Sequence, residues 1–163
     1  MMMNKNETLQ YLTDHGVTFE LLEHAPVYNM DDLAVLHLPH PEWDAKNLFV
    51  RDDKKRNYYL ITARGEKRVN LNEFRKQHGL RGLTFASPEE LMTLLHLSPG
   101  SVTPLGLLND TAFRVQLFLD ASFAGNIIAV HPNDNAATVW LPADDLARIL
   151  REHGSTVSFV QLS

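Results

Sequence analysis

The chain has 163 residues, 44% apolar and 21% charged, with a net charge of −5. That length and mixture suit one folded domain with its own core, not a disordered segment. It contains no cysteine, which excludes disulfides, thiolate nucleophiles and Cys-ligated zinc or iron–sulfur centres.

An opening helix is predicted from Asn6 to His15, with Leu9 and Leu12 on one face and Gly16 as its stop. Residues 19–24 read as a strand, and Met30 to Leu36 as a short helix with Met30, Leu33 and Ala34 at helical spacing. Pro39-His40-Pro41-Glu42-Trp43-Asp44 is expected to be irregular, because each proline lacks an amide donor and restricts its neighbour. Asn47–Arg51 and Tyr58–Thr62 form a predicted hairpin around the polar turn 52–57. Asn70 with Glu73 resembles a capping box for a helix ending at His78-Gly79. Ser87-Pro88-Glu89-Glu90 combines a serine cap, an early proline and a glutamate at the third helical position.

After Gly100–Pro104 the chain is read as returning to β structure. Phe113, Val115, Leu117 and Leu119 alternate with polar residues, and 126–131 and 138–141 are expected to extend the same sheet. A last helix opens at Pro142-Ala143, and Val157–Leu162 closes the chain as a strand. Helices spread unevenly among hairpin-like strands point to an α+β fold with a mixed sheet. The amino-terminal residues turn polar at once, and no run approaches the ~20 apolar residues of a membrane span. A cytoplasmic protein without membrane contact is expected.

Most of the candidate chemistry falls away. Of the eight histidines, His15, His78 and His153 precede glycines at helix ends, where an imidazole meets free carbonyls. No pair has zincin spacing, so no metal is expected. Ser101 lacks a nucleophile elbow, and no dinucleotide or Walker fingerprint occurs, so no cofactor is expected either. Lys46 stands apart from the surface lysines, since it opens the apolar strand Asn47-Leu48-Phe49-Val50. It reads either as a snorkelling edge lysine or as an ammonium held in a cleft. Gly100-Ser101-Val102-Thr103-Pro104 reads either as a helix stop with a stiff loop or as a backbone arch offering amides to a ligand oxygen. The segment from Arg51 to Arg81 holds ten basic and four acidic residues on an otherwise acidic chain. Charge alone suits a local polyanion contact and a solvated surface equally.

Taken in order, Lys46-Asn47-Leu48-Phe49-Val50-Arg51-Asp52, Ser87-Pro88-Glu89, Pro99–Pro104, Leu108-Asn109-Asp110 and His131-Pro132 resemble the prolyl-tRNA editing domains. This is the YbaK-like superfamily, and the similarity is greatest to its free-standing members that clear alanine from tRNA(Pro). The resemblance spans nearly the whole chain. It implies a single domain over residues 1–163 with a mixed, mainly antiparallel sheet flanked by helices. It also implies hydrolysis of the ester joining a mischarged amino acid to the terminal adenosine of tRNA. The family's lysine falls on Lys46, its glycine–proline loop on Gly100 and Pro104, and its histidine on His131; Lys46, Gly100 and His131 are the expected catalytic positions. The chain departs from relatives at Glu42-Trp43-Asp44-Ala45, and at Ala136 and Val139 where many have threonines. Both departures bear on amino-acid preference more than on the class of reaction.

The need for such an enzyme is physical. A synthetase pocket shaped for proline cannot exclude alanine by binding alone, because a missing methylene is worth only about 1–3 kcal/mol. The expected substrate contacts are Asn47, Ser101, Val102, Thr103 and Pro104, with Met30 and Leu33 as a size filter. Arg51, Lys54, Lys55 and Arg81 are expected on the tRNA acceptor stem, through phosphate contacts that carry no sequence information. The expected partners are mischarged tRNA(Pro) and prolyl-tRNA synthetase, with no DNA, and the default state is a monomer. The alternatives are a deacylase for Cys-tRNA(Pro) or another small residue, and a non-catalytic tRNA- or synthetase-binding module.

Overall fold

Strand β3 (Tyr58–Arg64) organises the computed structural model, which describes residues 3–65 and 67–162. Its near-continuous apolar run is buried on both faces, as expected of a central strand. Tyr58 and Leu60 face one core, while Tyr59, Ile61 and Ala63 face another. Around it, β2 (Ala45–Asp52), β4 (Leu83–Phe85), β5 (Val115–Asp120) and β8 (Val157–Val160) complete a sheet in the order β4-β2-β3-β5-β8. The β2–β3 and β2–β4 pairs are antiparallel, and β3–β5 and β5–β8 are parallel. A mixed sheet results, as expected.

One expectation is corrected. The segments at 127–130 (β6) and 137–142 (β7) do not extend that sheet; they pair with β1 (Glu20–Glu23) in a separate antiparallel sheet, β1-β7-β6. Both sheets bury their inner faces against one another, so Leu60, Leu117 and Leu119 share a core with Ile128, Val130, Val139 and Leu141. The helices α1 (Lys5–Asp14), α4 (Pro88–Leu95) and α5 (Ala143–His153) add Leu12, Leu91, Leu95, Leu146 and Leu150 to it. The other face of the larger sheet is covered by α3 (Leu71–Gln77) through Phe74.

Local chemistry sets the ends of these elements. Ser87 and Glu90 form the reciprocal capping box, whereas Asn70 caps α3 through its side chain with no return bond from Glu73. The region after Pro104 is a buried 3₁₀ segment, Pro104–Asn109, and not β structure. Pro41–Trp43 closes one 3₁₀ turn within the stretch expected to be irregular. Phe113 has a φ of 53° and is half-exposed, so the predicted strand begins only at Val115. The motif residues Asn109 and Asp110 are scaffold. Asn109 donates to the Leu95 carbonyl at 2.8 Å, and Asp110 accepts from the Arg114 and Val115 amides at 3.0 and 2.8 Å.

Candidate functional site

A cavity of about 240 Å³ opens where the mouth of β2, the loop after α4 and the end of β6 meet. Lys46, Asn47, Gly100, Val102 and His131 line it, together with Met30 and Leu33 of α2 (Met30–Val35). The structure thus brings together residues up to 111 positions apart in sequence, from Val27 to Thr138. Its size suits a small acyl group with part of a sugar, and falls below the ~300–1,000 Å³ of pockets that swallow whole drug-sized ligands.

The loop is held by Asn47 and Thr103, and this changes the role of both. The Asn47 side-chain amide donates to the Val102 carbonyl at 3.2 Å and accepts from the Thr62 hydroxyl at 2.7 Å. Thr103, fully buried, donates to the His131 carbonyl at 2.7 Å. Asn47 therefore ties strand to loop, and Thr103 ties loop to histidine. Ser101 and Pro104 are also buried and stand behind the wall, so Ser101, Thr103 and Pro104 do not line the cavity as expected. The Ser101 amide is committed to the Ser98 carbonyl at 2.9 Å, while the amides of Gly100 and Val102 bond to no protein acceptor among the described residues.

Gly100 is required by proximity and not by conformation, since its φ is not positive. A Cβ there would lie 2.6 Å from Tyr28 Cδ1. The close approach is thus to an aromatic ring of the protein itself. His131 Nδ1 lies 2.9 Å from the Ala137 carbonyl, so that nitrogen carries a proton and Nε2 is left as an acceptor. Burial lowers the His131 pKa, outweighing that hydrogen bond, and the ring stays neutral at pH 7. Lys46 Nζ makes no ion pair or hydrogen bond with the described residues.

The expected tRNA contacts are divided by the fold. Arg51 pairs with Glu90 at 3.3 Å and Arg81 with Asp53 at 2.6 Å, so neither offers an uncompensated charge. Lys54 and Lys55 are exposed on the β2–β3 turn without carboxylate partners among the described residues. Glu66, one acid of the basic segment, lies outside the described residues. Among the described residues no group of three His, Asp or Glu side chains is placed to hold a metal ion, and no helix is long and apolar enough to cross a membrane.

Sequence reasoning missed Tyr28, Asp44 and Thr138, all of which line the cavity. For Asp44 a signal existed, since it stands two residues before Lys46 and an extended chain sends such a pair to one side. For Tyr28 and Thr138 none did, because only the pairing of the smaller sheet brings them there.

A sequence profile describing the aminoacyl-tRNA editing domain matches residues 24–149, which include every lining residue of the cavity. The chain belongs to that family. It is 35% identical over 159 residues to the prolyl-tRNA editing protein ProX of Acetoanaerobium sticklandii, covering 97% of each chain. It is 32% identical to the mouse prolyl-tRNA synthetase associated domain-containing protein 1, covering 91% of this chain and 90% of that one. Among solved structures, a hypothetical protein matches with a TM-score of 0.71 at 21% identity, over 96% of this chain and 99% of that one. A candidate trans-editing enzyme for prolyl-tRNA synthetase matches with 0.70 at 19%, over the full length of both. At those identities the two structures show that the editing-domain fold is shared.

Proposed function

We propose that this editing domain, residues 1–163 acting as one free-standing unit, hydrolyses mischarged Ala-tRNA(Pro). The observation that carries this reading is the single small cavity that unites Lys46, the Gly100–Val102 loop and a neutral His131. Near-complete mutual coverage with a relative named as a prolyl-tRNA editing protein supports action in trans.

Each group has a task. The Lys46 ammonium anchors the terminal phosphate or ribose of the substrate. The unpartnered amides of Gly100 and Val102 face the charge that develops on the ester carbonyl oxygen during attack, where fixed donors act without reorganisation. Water adds to the carbonyl carbon, the bond to the ribose oxygen breaks, and the ribose hydroxyl leaves with a proton. His131 Nε2 and the neighbouring ribose hydroxyl are the groups placed to carry that proton. Asn47 and Thr103 act as positioning residues, and Met30 and Leu33 form the apolar wall that a proline ring meets.

Lys54 and Lys55 sit at the far end of β2, roughly 20 Å from the cavity by strand rise. That spacing suits contact with acceptor-stem phosphates while the 3′ end occupies the site. The same reading places the protein in the cytoplasm, as a monomer acting on tRNA and not on DNA, with prolyl-tRNA synthetase as the source of its substrate.

The test is to incubate the protein with tRNA(Pro) charged separately with alanine, cysteine and proline, and to follow the release of each amino acid. Rapid release of alanine, little release of proline, and a loss of at least about tenfold in Lys46→Ala are expected. Tight binding without release would identify a non-catalytic module, and faster cysteine release would reassign the substrate.

A further inference from the structure

Among the described residues, Asp44 is the charged group of the cavity that takes no part in the proposed hydrolysis. It is extended, with φ −60° and ψ 146°, and its backbone carbonyl accepts from the Gly65 amide at 2.6 Å. Its carboxylate, by contrast, has no hydrogen-bond donor and no cation beside it among the described residues. Burial, and then the charge of Glu42, pushes its pKa up to about 6, and nothing offsets them. It is still largely ionised at neutral pH.

The other inward carboxylates of the protein behave differently. Asp52 accepts from the Lys54 and Arg56 amides and the Asn57 side chain. Asp110 accepts from two amides, and Asp120 from Lys67, Ser122 and the Arg64 amide. Facing an open cavity, the Asp44 carboxylate is an acceptor that no protein donor occupies among the described residues, so a ligand's donor engages it by displacing water and no internal bond. Asp44 and Lys46 line the same cavity without pairing with one another, so it offers a ligand both an anion and a cation.

An aminoacyl nucleotide carries the complementary pair, a phosphate and an α-ammonium. An α-amino group has a reference pKa of about 7.7–8.0, so much of it is protonated at neutral pH. We propose that Asp44 binds the α-ammonium of the aminoacyl ester and so selects esters with a free amine. This deepens the deacylase reading and rests on it. The occupant is an alkylammonium adjacent to an ester, with the amine toward Asp44 and the phosphate toward Lys46.

The test compares alanyl-tRNA(Pro) with lactyl-tRNA(Pro), in which a hydroxyl replaces the ammonium and the methyl group is kept. Each enzymatic rate is divided by the uncatalysed rate of the same ester in the same buffer, which removes the intrinsic effect of the ammonium. Wild type is expected to prefer the alanyl ester by about 10- to 100-fold, the range of a charge-assisted hydrogen bond. In Asp44→Asn that preference is expected to fall toward one, and in Asp44→Glu to return in part. Equal loss on both esters, or an unchanged preference, overturns the ammonium contact while deacylation stands. A wild type with no preference overturns it without recourse to any variant. A wild type inactive on both esters overturns the deacylase reading itself, and the contact with it.

Discussion

Gly100→Ala separates the two reasons a loop can need glycine. The new methyl group would stand 2.6 Å from Tyr28 Cδ1, 2.9 Å from Cε1 and 3.1 Å from Asn135 Nδ2. The backbone itself accepts alanine, because Gly100 has no positive φ. Reaching ordinary contact requires the Tyr28 ring to retreat by about 0.8 Å. Asn135 yields less readily, since it holds Val27 through its side-chain amide at 2.9 Å and its carbonyl at 3.1 Å. Tyr28 is 70% exposed, so it swings outward at small cost. The entropy removed from the unfolded chain favours the variant by about 0.4–1 kcal/mol, which offsets much of that cost. Net stability is therefore expected to change by less than about 1 kcal/mol, or a Tm shift within about 4 °C for a chain of this size.

Activity is expected to respond more. The displaced ring lines the cavity, and misplacement by about 1 Å costs up to about 100-fold in a positioned reaction. Single-turnover release of alanine from Ala-tRNA(Pro), measured beside a thermal melt, reads both quantities. A double-mutant cycle with Tyr28→Ala then shows whether the loss passes through the ring, in which case the paired changes are strongly non-additive. A Gly100→Ala protein that melts far lower but cleaves at the wild-type rate would refute the argument, because the constraint would then lie in the backbone.

Two further outcomes follow from the same geometry. Asn47→Ala removes the acceptor of the buried Thr62 hydroxyl and the donor to the Val102 carbonyl, so a loss of about 1–3 kcal/mol in denaturant melts is expected together with slower deacylation; a variant as stable as wild type would show that the loop is held elsewhere. Glu90 gives a pH dependence. Burial alone would raise its pKa, but donors from Tyr58 at 2.6 Å and the Ser87 amide at 2.9 Å, with Arg51, hold it at about 2 against 4.5. The folded value lies below the unfolded one, so the unfolded chain takes up the proton first. This stability is full above pH 4.5 and is lost as pH falls toward 2, by at most about 3 kcal/mol. Glu90→Gln should flatten the melting curve in that window; parallel wild-type and variant curves between pH 5 and 3 would remove Glu90 as the cause.

Lys46 and the Gly100–Pro104 loop stood out by their neighbours, an apolar strand after the lysine and a helix stop before the loop, but only the family resemblance chose between their two readings and singled out His131. The basic segment was legible only as charge. Arg51 and Arg81 are neutralised by Glu90 and Asp53, partners 39 and 28 residues away that no local pattern announces. Similarly, Asn109 and Asp110 belong to the recognisable motif set yet serve the scaffold, since their partners are backbone groups of α4 and the start of β5.

The sequence by itself determined what depends on nearest neighbours: the capped start of α4, the β2–β3 hairpin, and the end of α1 at Gly16. Tertiary structure alone decided that β6 and β7 stay out of the main sheet and form a separate one with β1, β7 at its centre, which carries His131 and Thr138 to the cavity. It alone decided that Asn47 and Thr103 brace the loop, and that Asp44 lines the cavity with Lys46 yet pairs with no donor among the described residues. The physical reason is range. Caps, turns and strand periods are satisfied within a few residues, whereas a cavity is made of groups whose hydrogen bonds and charges are completed, or left incomplete, by chain segments a hundred residues apart.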